Sequence, residues 1–97
     1  MPTYITLIRY TQKGIENIKG APNRVEEAKQ VHRSMGAELK EFYLVMGNYD
    51  AVSIAEAPDD VTMTKVLLSL GSKGNVHTET LKAFTEEEVK KIVTSLP

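Results

Sequence analysis

The 97-residue chain carries 12 basic and 13 acidic side chains, which gives a formal net charge of -1, and it contains no cysteine. This length suits one small core, so residues 1–97 are expected to form a single domain. Without an excess of positive charge we expect no nucleic-acid partner, and the lack of cysteine excludes disulfides and thiolate sites and favours the cytoplasm. The sequence shows no signal peptide and no apolar run of bilayer length, so no membrane association is expected.

The first third of the chain predicts a strand, a loop and a helix. Residues 3–10 carry β-branched and aromatic side chains on both alternating faces, which predicts a strand buried on both sides. Residues 11–22 include glycines and a proline and predict a loop with space for one short helical turn. Asn23 and Glu26 have the spacing of a capping box, which predicts a helix over residues 24–35.

The middle of the chain predicts a β-hairpin. Two strand-like runs, residues 38–46 and 49–57, flank the dipeptide Gly47-Asn48, which tolerates the positive φ values of a two-residue turn. The cross-strand pairs expected from that turn are Met46 with Tyr49, Leu44 with Ala51, and Phe42 with Ser53. The register of the hairpin is therefore fixed by its turn.

The last third predicts a helix, a strand and a second helix. Residues 58–60 have the form of a helix start, and apolar residues at helical spacing continue to about Leu70. Residues 75–84 then predict a fourth strand. Thr85 and Glu88 have the spacing of a capping box that opens a short amphipathic C-terminal helix.

This order of elements predicts an α+β, ferredoxin-like βαββαβ sandwich with an extra C-terminal helix. Helices would cover one face of a four-stranded antiparallel sheet. The other face would expose a larger apolar patch than monomers normally leave in water. We therefore expect a homodimer, or a higher homo-oligomer, in which two sheet faces meet as a dimeric α/β barrel.

The hairpin segment Gly47-Asn48-Tyr49-Asp50 resembles the Gly-x-Tyr-Asp signature of the GYD domain family. The resemblance extends in order over almost the whole chain. It includes residues 10–15, Arg24, residues 42–43, residues 56–59, residues 74–76 and several residues between Thr78 and Thr85. His77 departs from it, where an arginine is expected, and so does the segment Met35-Gly36-Ala37, where paired glycines are expected.

The resemblance implies a ferredoxin-like fold of the dimeric α/β-barrel superfamily and assigns no reaction. Relatives in that superfamily include cofactor-free monooxygenases, muconolactone isomerase and ligand-sensing domains of transcription factors. The resemblance therefore leaves open whether the protein is an enzyme.

Three residues are candidates for proton transfer. Asp50 next to a turn could act as a general base or orient a ligand, although an aspartate here often accepts backbone N–H groups instead. Tyr49 is its neighbour and could equally pack over Met46. His77 shares a strand face with Glu79, which would raise its pKa, or the two could form an ordinary surface pair.

Hydroxyl groups on otherwise apolar strands suggest a small-molecule cavity, because they orient a ligand while apolar walls exclude water. Alternatively, the tyrosine hydroxyls reach solvent and the threonines are only good strand formers. The predicted ligand-contacting residues are Thr6, Tyr10, Tyr43, Tyr49, Asp50 and His77. His32 lies in the apolar stripe of the first long helix, which favours a buried, hydrogen-bonded histidine over a ligand. Because the histidine spacing is wrong for a metal, we expect no metal site, and we also expect no cofactor.

Three functions follow as hypotheses. The first is a homo-oligomeric binding or sensing domain for a small, mainly apolar metabolite at the sheet face. The second is a cofactor-free monooxygenase-like or isomerase-like enzyme, which rests on fold analogy. The third is a structural assembly module without a ligand.

Overall fold

The computed structural model describes all 97 residues, and eight strands and helices follow one another in the predicted order, apart from one extra short helix. The strands are β1 (Thr3–Tyr10), β2 (Glu38–Leu44), β3 (Ala51–Glu56) and β4 (Val76–Ala83). The helices are α1 (Gln12–Glu16), α2 (Ala21–Ser34), α3 (Asp60–Gly71) and α4 (Glu86–Thr94), and a 3₁₀ turn spans Ile18–Gly20. The loop at residues 11–22 is thus mostly helical. None of the helices combines the length and the apolar character needed to cross a bilayer.

The four strands form one antiparallel sheet in the order β2-β3-β1-β4. This is the α+β, ferredoxin-like arrangement that the order of elements predicted. Within one chain the sheet stays open and does not close into a barrel. β1 and β3 are central, whereas β2 and β4 are edges.

The start of α2 differs from the prediction. The helix begins at Ala21, and its N-cap residue Gly20 provides no side-chain hydrogen bond, so the capping box of Asn23 and Glu26 is wrong. Pro22 explains the earlier start, because its fixed φ suits the first helical turn and its missing N–H costs nothing there. The helix ends as expected before Gly36, which has a φ of 79°.

The hairpin keeps the predicted register but not the predicted turn. Leu44 pairs with Ala51 and Phe42 with Ser53, as expected. The two-residue turn is wrong, because the last backbone hydrogen bond between the two arms joins the Val45 N–H to the Asp50 carbonyl at 2.9 Å, which leaves residues 46–49 as a four-residue loop. The physical reason is Asp50, whose backbone N–H bonds to the carbonyl of Ile8 at 2.8 Å and so draws this segment toward β1.

The core lies between the sheet and helices α2 and α3, near the start of β1. Its buried residues are Tyr4, Ala37, Leu39, Ala55, Ala57, Met63 and Val66. The Tyr4 hydroxyl donates to Asp60 Oδ1 at 2.5 Å, which fastens the first turn of α3 to β1. Burial, reinforced by this hydrogen bond, raises the pKa of Tyr4 to about 12.

The opposite face of the sheet is uncovered within the chain. Its central row, Leu81, Ile5 and Ile54, crosses three neighbouring strands, and Leu7 beside Val52 forms the next row. The prediction that β1 is buried on both sides is therefore wrong for a single chain, because Ile5 and Leu7 remain half-buried. The C-terminal helix α4 has its predicted capping box but buries no residue.

Candidate functional site

A half-open cavity of about 100 Å³ lies between the helix layer and the sheet, toward the end of β1 that is farther from the core. Its floor is formed by Thr6, Ile8 and Tyr10 of β1 together with Phe42 and Ser53. Its roof is formed by Val25, Ala28 and His32 of α2 and by Met63, Leu67 and Leu70 of α3. The walls are thus mainly apolar, as in most small-molecule sites.

Two buried polar side chains line the inner part of this cavity. His32 is only 3 % exposed, and its Nδ1 donates to the carbonyl of Ala28 at 2.6 Å. Since that carbonyl can only accept, Nδ1 carries the proton, and burial lowers the pKa of His32, which keeps the ring neutral. Ser53 is 8 % exposed. The inner part of the cavity therefore carries polar groups but no charge.

Neither the His32 Nε2 atom nor the Ser53 Oγ atom has a hydrogen-bond partner in the protein. Every fully enclosed polar side-chain atom does have a partner, so these two atoms must still reach open volume. Both residues line the cavity, which is the open volume available to them. The inner cavity thus presents one acceptor nitrogen and one hydroxyl that a bound molecule can use.

The mouth of the cavity carries more positive than negative charge. Arg24 donates to the carbonyls of Asn17 at 2.7 Å and Gly14 at 3.2 Å, and it has no carboxylate partner. Lys73 lies 3.6 Å from Glu27 in an ion pair. All three charged side chains line the mouth, which leaves one uncompensated positive charge there.

Two of the predicted ligand-contacting residues line this cavity. Thr6 is buried, and its hydroxyl shares a 2.9 Å hydrogen bond with the hydroxyl of Thr80. Tyr10 lies under the Arg24 guanidinium, 5.9 Å from the ring centre. Burial raises the pKa of Tyr10, although the charge of Arg24 opposes the shift.

Asp50 forms hydrogen bonds to the backbone at the end of β1. Its Oδ2 accepts the backbone N–H of Tyr10 at 2.8 Å, while its own N–H bonds to Ile8. The aspartate therefore holds the hairpin loop against the end of β1. This geometry fits the structural interpretation of Asp50 better than that of a general base.

The other predicted residues belong to the uncovered face of the sheet. The Tyr49 hydroxyl donates to Glu79 Oε2 at 2.8 Å, which raises the pKa of Tyr49. The Arg9 guanidinium lies 4.7 Å from the centre of the Tyr49 ring, and His77 is the strand partner of Arg9. The alternative of a surface pair between His77 and Glu79 is wrong, because no hydrogen bond or ion pair joins them and the Glu79 carboxylate accepts the Tyr49 hydroxyl. Tyr43 is exposed on the same face.

The structure thus places two of the predicted residues in the cavity, three on the uncovered face of the sheet and Asp50 against the end of β1, and it adds three polar residues to the cavity that sequence reasoning missed. Those residues are His32, Ser53 and Arg24. The signal available in the sequence was a polar residue at an apolar position of a helix or strand, which His32 and Ser53 both provide. The chain has no cluster of three His, Cys, Asp or Glu side chains that could hold a metal ion.

The model of the GYD domain family matches residues 4–93 of the chain, which are nearly its full length. The chain belongs to the GYD domain family. This confirms the resemblance carried by the hairpin signature and the segments around it.

Relatives of this GYD-domain protein include a binding protein. A Thermus thermophilus protein named glutamine synthetase and cystathionine beta-lyase binding protein is 39% identical over 85 residues, which make up 87% of this chain and 90% of that protein. The crystal structure of TTHA0845, also from Thermus thermophilus, aligns with a TM-score of 0.57 and 29% identity over 88% of this chain and 95% of that one.

A third match extends the fold to regulatory proteins. A feast or famine regulatory protein from M. tuberculosis, solved in complex with L-methionine, aligns with a TM-score of 0.67 and 15% identity. The alignment covers 88% of this chain and 51% of the regulatory protein. The GYD-domain protein therefore spans about half the length of the regulatory protein. At this level of identity the match shows a shared fold.

Proposed function

We propose that this GYD-domain protein is a homodimeric binding or sensing protein that takes a small, mainly apolar molecule into the cavity under α2 and α3. One observation carries the proposal: in an apolar, half-open cavity, the buried residues His32 and Ser53 each keep one polar atom that reaches open volume and has no partner in the protein. A molecule that fills the cavity would cut these two atoms off from solvent, so it must pair with them, and that pairing would fix its orientation.

The same proposal assigns separate roles to the predicted site residues. Thr6 and Tyr10 contact the ligand, because they line the cavity. Asp50 braces the loop beside them. Tyr43, Tyr49 and His77 belong to the uncovered sheet face, which a second copy of the chain covers. Asp50 gains no support as a general base from this arrangement, since its Oδ2 already accepts a backbone N–H of β1.

Filling the cavity tests the proposal. Ala28→Leu adds three carbon atoms to the cavity roof, whereas Gln30→Leu adds a leucine to the exposed side of the same helix. In a screen of small metabolites by thermal unfolding, we expect compounds that raise the Tm of the wild type and of Gln30→Leu but not that of Ala28→Leu. A compound at about 100 times its Kd should stabilise the protein by about 2.7 kcal/mol.

Two results would contradict a ligand site in this cavity. One is a broad screen in which no compound raises the Tm of the wild type. The other is a compound whose stabilising effect is undiminished in Ala28→Leu.

A second candidate function is the binding of a metabolic enzyme, and it is favoured by the 39% identity to the Thermus thermophilus binding protein. We expect a mixture of the GYD-domain protein with purified glutamine synthetase, taken from the organism that encodes the GYD-domain protein, to elute earlier from a sizing column than either protein alone. Unchanged elution of both proteins at about 10 µM would argue against this candidate.

A further inference from the structure

The inner end of the cavity can accept a hydrogen bond but cannot neutralise a charge. The Nδ1 proton of His32 is committed to Ala28, so Nε2 offers only a lone pair to the cavity. Thr6, Ser53 and His32 supply the buried polar groups there, and none of them is charged in this setting. An ammonium group at this end would be a buried cation without a counterion, which is strongly unfavourable. The matching ligand group is therefore an uncharged donor, and a hydroxyl can satisfy both Nε2 and the Ser53 hydroxyl.

The mouth of the cavity favours a negatively charged ligand group. Two of the five N–H donors of Arg24 bond to the carbonyls of Asn17 and Gly14, which leaves three donors and a full positive charge without an anion. Guanidinium groups bind carboxylates through paired hydrogen bonds. The neighbouring Lys73 is already paired with Glu27, so Arg24 is the group that a ligand carboxylate would meet.

The distance between the two ends limits the size of the ligand. Arg24 and His32 lie eight residues apart on α2, which corresponds to about 12 Å along the helix axis, and Arg24 reaches past the start of the helix to the carbonyls of Asn17 and Gly14. A linear aliphatic chain can join two groups this far apart, whereas a compact ring with as few carbon atoms reaches only one of them.

We propose that the ligand is a short aliphatic hydroxy acid, with its carboxylate at Arg24 and its terminal hydroxyl at His32 Nε2 and Ser53. This inference rests on the proposed ligand site and specifies the chemistry that the site selects. Neither polar end alone defines the class, because a simple fatty acid would satisfy only the mouth and an alcohol only the inner end.

Four matched probes test this assignment by NMR titration of the isotope-labelled protein. They are 5-hydroxypentanoate, hexanoate, 5-aminopentanoate and pentane-1,5-diol. We expect 5-hydroxypentanoate to bind most tightly. Hexanoate should bind about tenfold more weakly, because its methyl group displaces water from Nε2 without replacing the hydrogen bond. The ammonium and diol probes should each lose at least about tenfold, through a buried unpaired charge and a missing carboxylate respectively.

Variants assign each difference to its residue. His32→Leu should bind 5-hydroxypentanoate and hexanoate with equal affinity, because the hydrogen bond that separates them is lost. Arg24→Gln should bind 5-hydroxypentanoate and the diol with equal affinity, because the partner of the carboxylate is lost. Ser53→Ala serves as a milder change at the inner end if His32→Leu fails to fold, and it should narrow the preference for the hydroxyl. Ala28→Leu should abolish the shifts caused by every probe.

Equal binding of hexanoate and 5-hydroxypentanoate to the wild type would overturn the hydroxyl assignment, and equal binding of the diol would overturn the carboxylate assignment. If none of the four probes shifts a cavity resonance, the hydroxy-acid class is wrong. The proposed function is judged separately, by whether any metabolite stabilises the wild type but not Ala28→Leu.

Discussion

Ile54→Lys is expected to convert the protein from a dimer to a monomer at micromolar concentration. Ile54 lies on the central strand β3, next to Ile5 in the apolar row of the uncovered sheet face. A two-fold interface would bring two of the new lysines into this apolar contact, and each would lose water without gaining a counterion. We expect the dimer Kd to rise by roughly 100-fold or more, because a few buried apolar residues dominate such interfaces.

Sedimentation velocity over a dilution series measures this effect, and Leu68→Lys provides a matched control. Leu68 is 69 % exposed on α3, in the helix layer on the opposite side of the molecule, so the same substitution there should leave the dimer intact. A wild type that remains monomeric at about 100 µM would contradict the proposed homodimer. Dissociation of the Leu68→Lys dimer together with an intact Ile54→Lys dimer would place the interface on the helices instead.

The C-terminal helix gives a second reason to expect a partner copy. α4 exposes Val89, Ile92 and Val93, and Leu96 just after it is exposed too, although the capping box and the acidic first turn are those of a stable helix. A nine-residue helix is short for independent stability in water, so packing normally contributes most of the stability of such a helix. The proposed dimer would supply that packing.

Gly14→Ala is expected to destabilise the protein by about 2–3 kcal/mol. A Cβ atom at this position would overlap the backbone carbonyl of Asn75, far inside contact distance. That carbonyl also accepts the N–H of Thr11 at 3.0 Å, which fixes the start of α1 against the start of β4. Backbone on both sides must move to admit the methyl group, and Asn75 lies at the mouth of the cavity. Urea unfolding of the wild type and the variant measures the loss.

Gly20→Ala is the matched control for this steric argument. The nearest atom to a Cβ there is the Arg24 Nη1, at an ordinary 3.5 Å, and the φ of -85° is open to any residue. We expect a change of less than about 0.5 kcal/mol in either direction. If the two variants lost equal stability, the close approach of Gly14 to Asn75 would not be the cause.

The elements that sequence reasoning placed best are those with local signals at both ends. β1 matches its predicted bounds of residues 3–10, and α4 begins directly after Thr85, whose capping box with Glu88 is present. The hairpin turn was mispredicted because its geometry depends on a distant strand. Gly47-Asn48 favours a tight turn locally, but the bonds from Asp50 to β1 compete with it, and no local pattern reports them.

The candidate site was predictable only in part, for a similar reason. Thr6 and Tyr10 could be placed on one face of β1 by their alternation, and that face does line the cavity. The free Nε2 of His32 could not be inferred, because it depends on a bond to Ala28 in the preceding turn and on empty space between two helices and a sheet. Periodicity identifies which residues face inward, whereas a cavity depends on how well their volumes fill the space.

Alternate side chains of β1 lie in two different environments. Thr6, Ile8 and Tyr10 line the cavity, while Ile5 and Leu7 lie on the face assigned to the partner copy. A ligand that shifts this strand would therefore change the free energy of dimerisation as well as its own binding. Such coupling is reciprocal, so the factor by which ligand strengthens the dimer must equal the factor by which dimerisation strengthens ligand binding. Since the fraction of dimer rises with protein concentration, the protein concentration would then also set the ligand concentration at which the site fills.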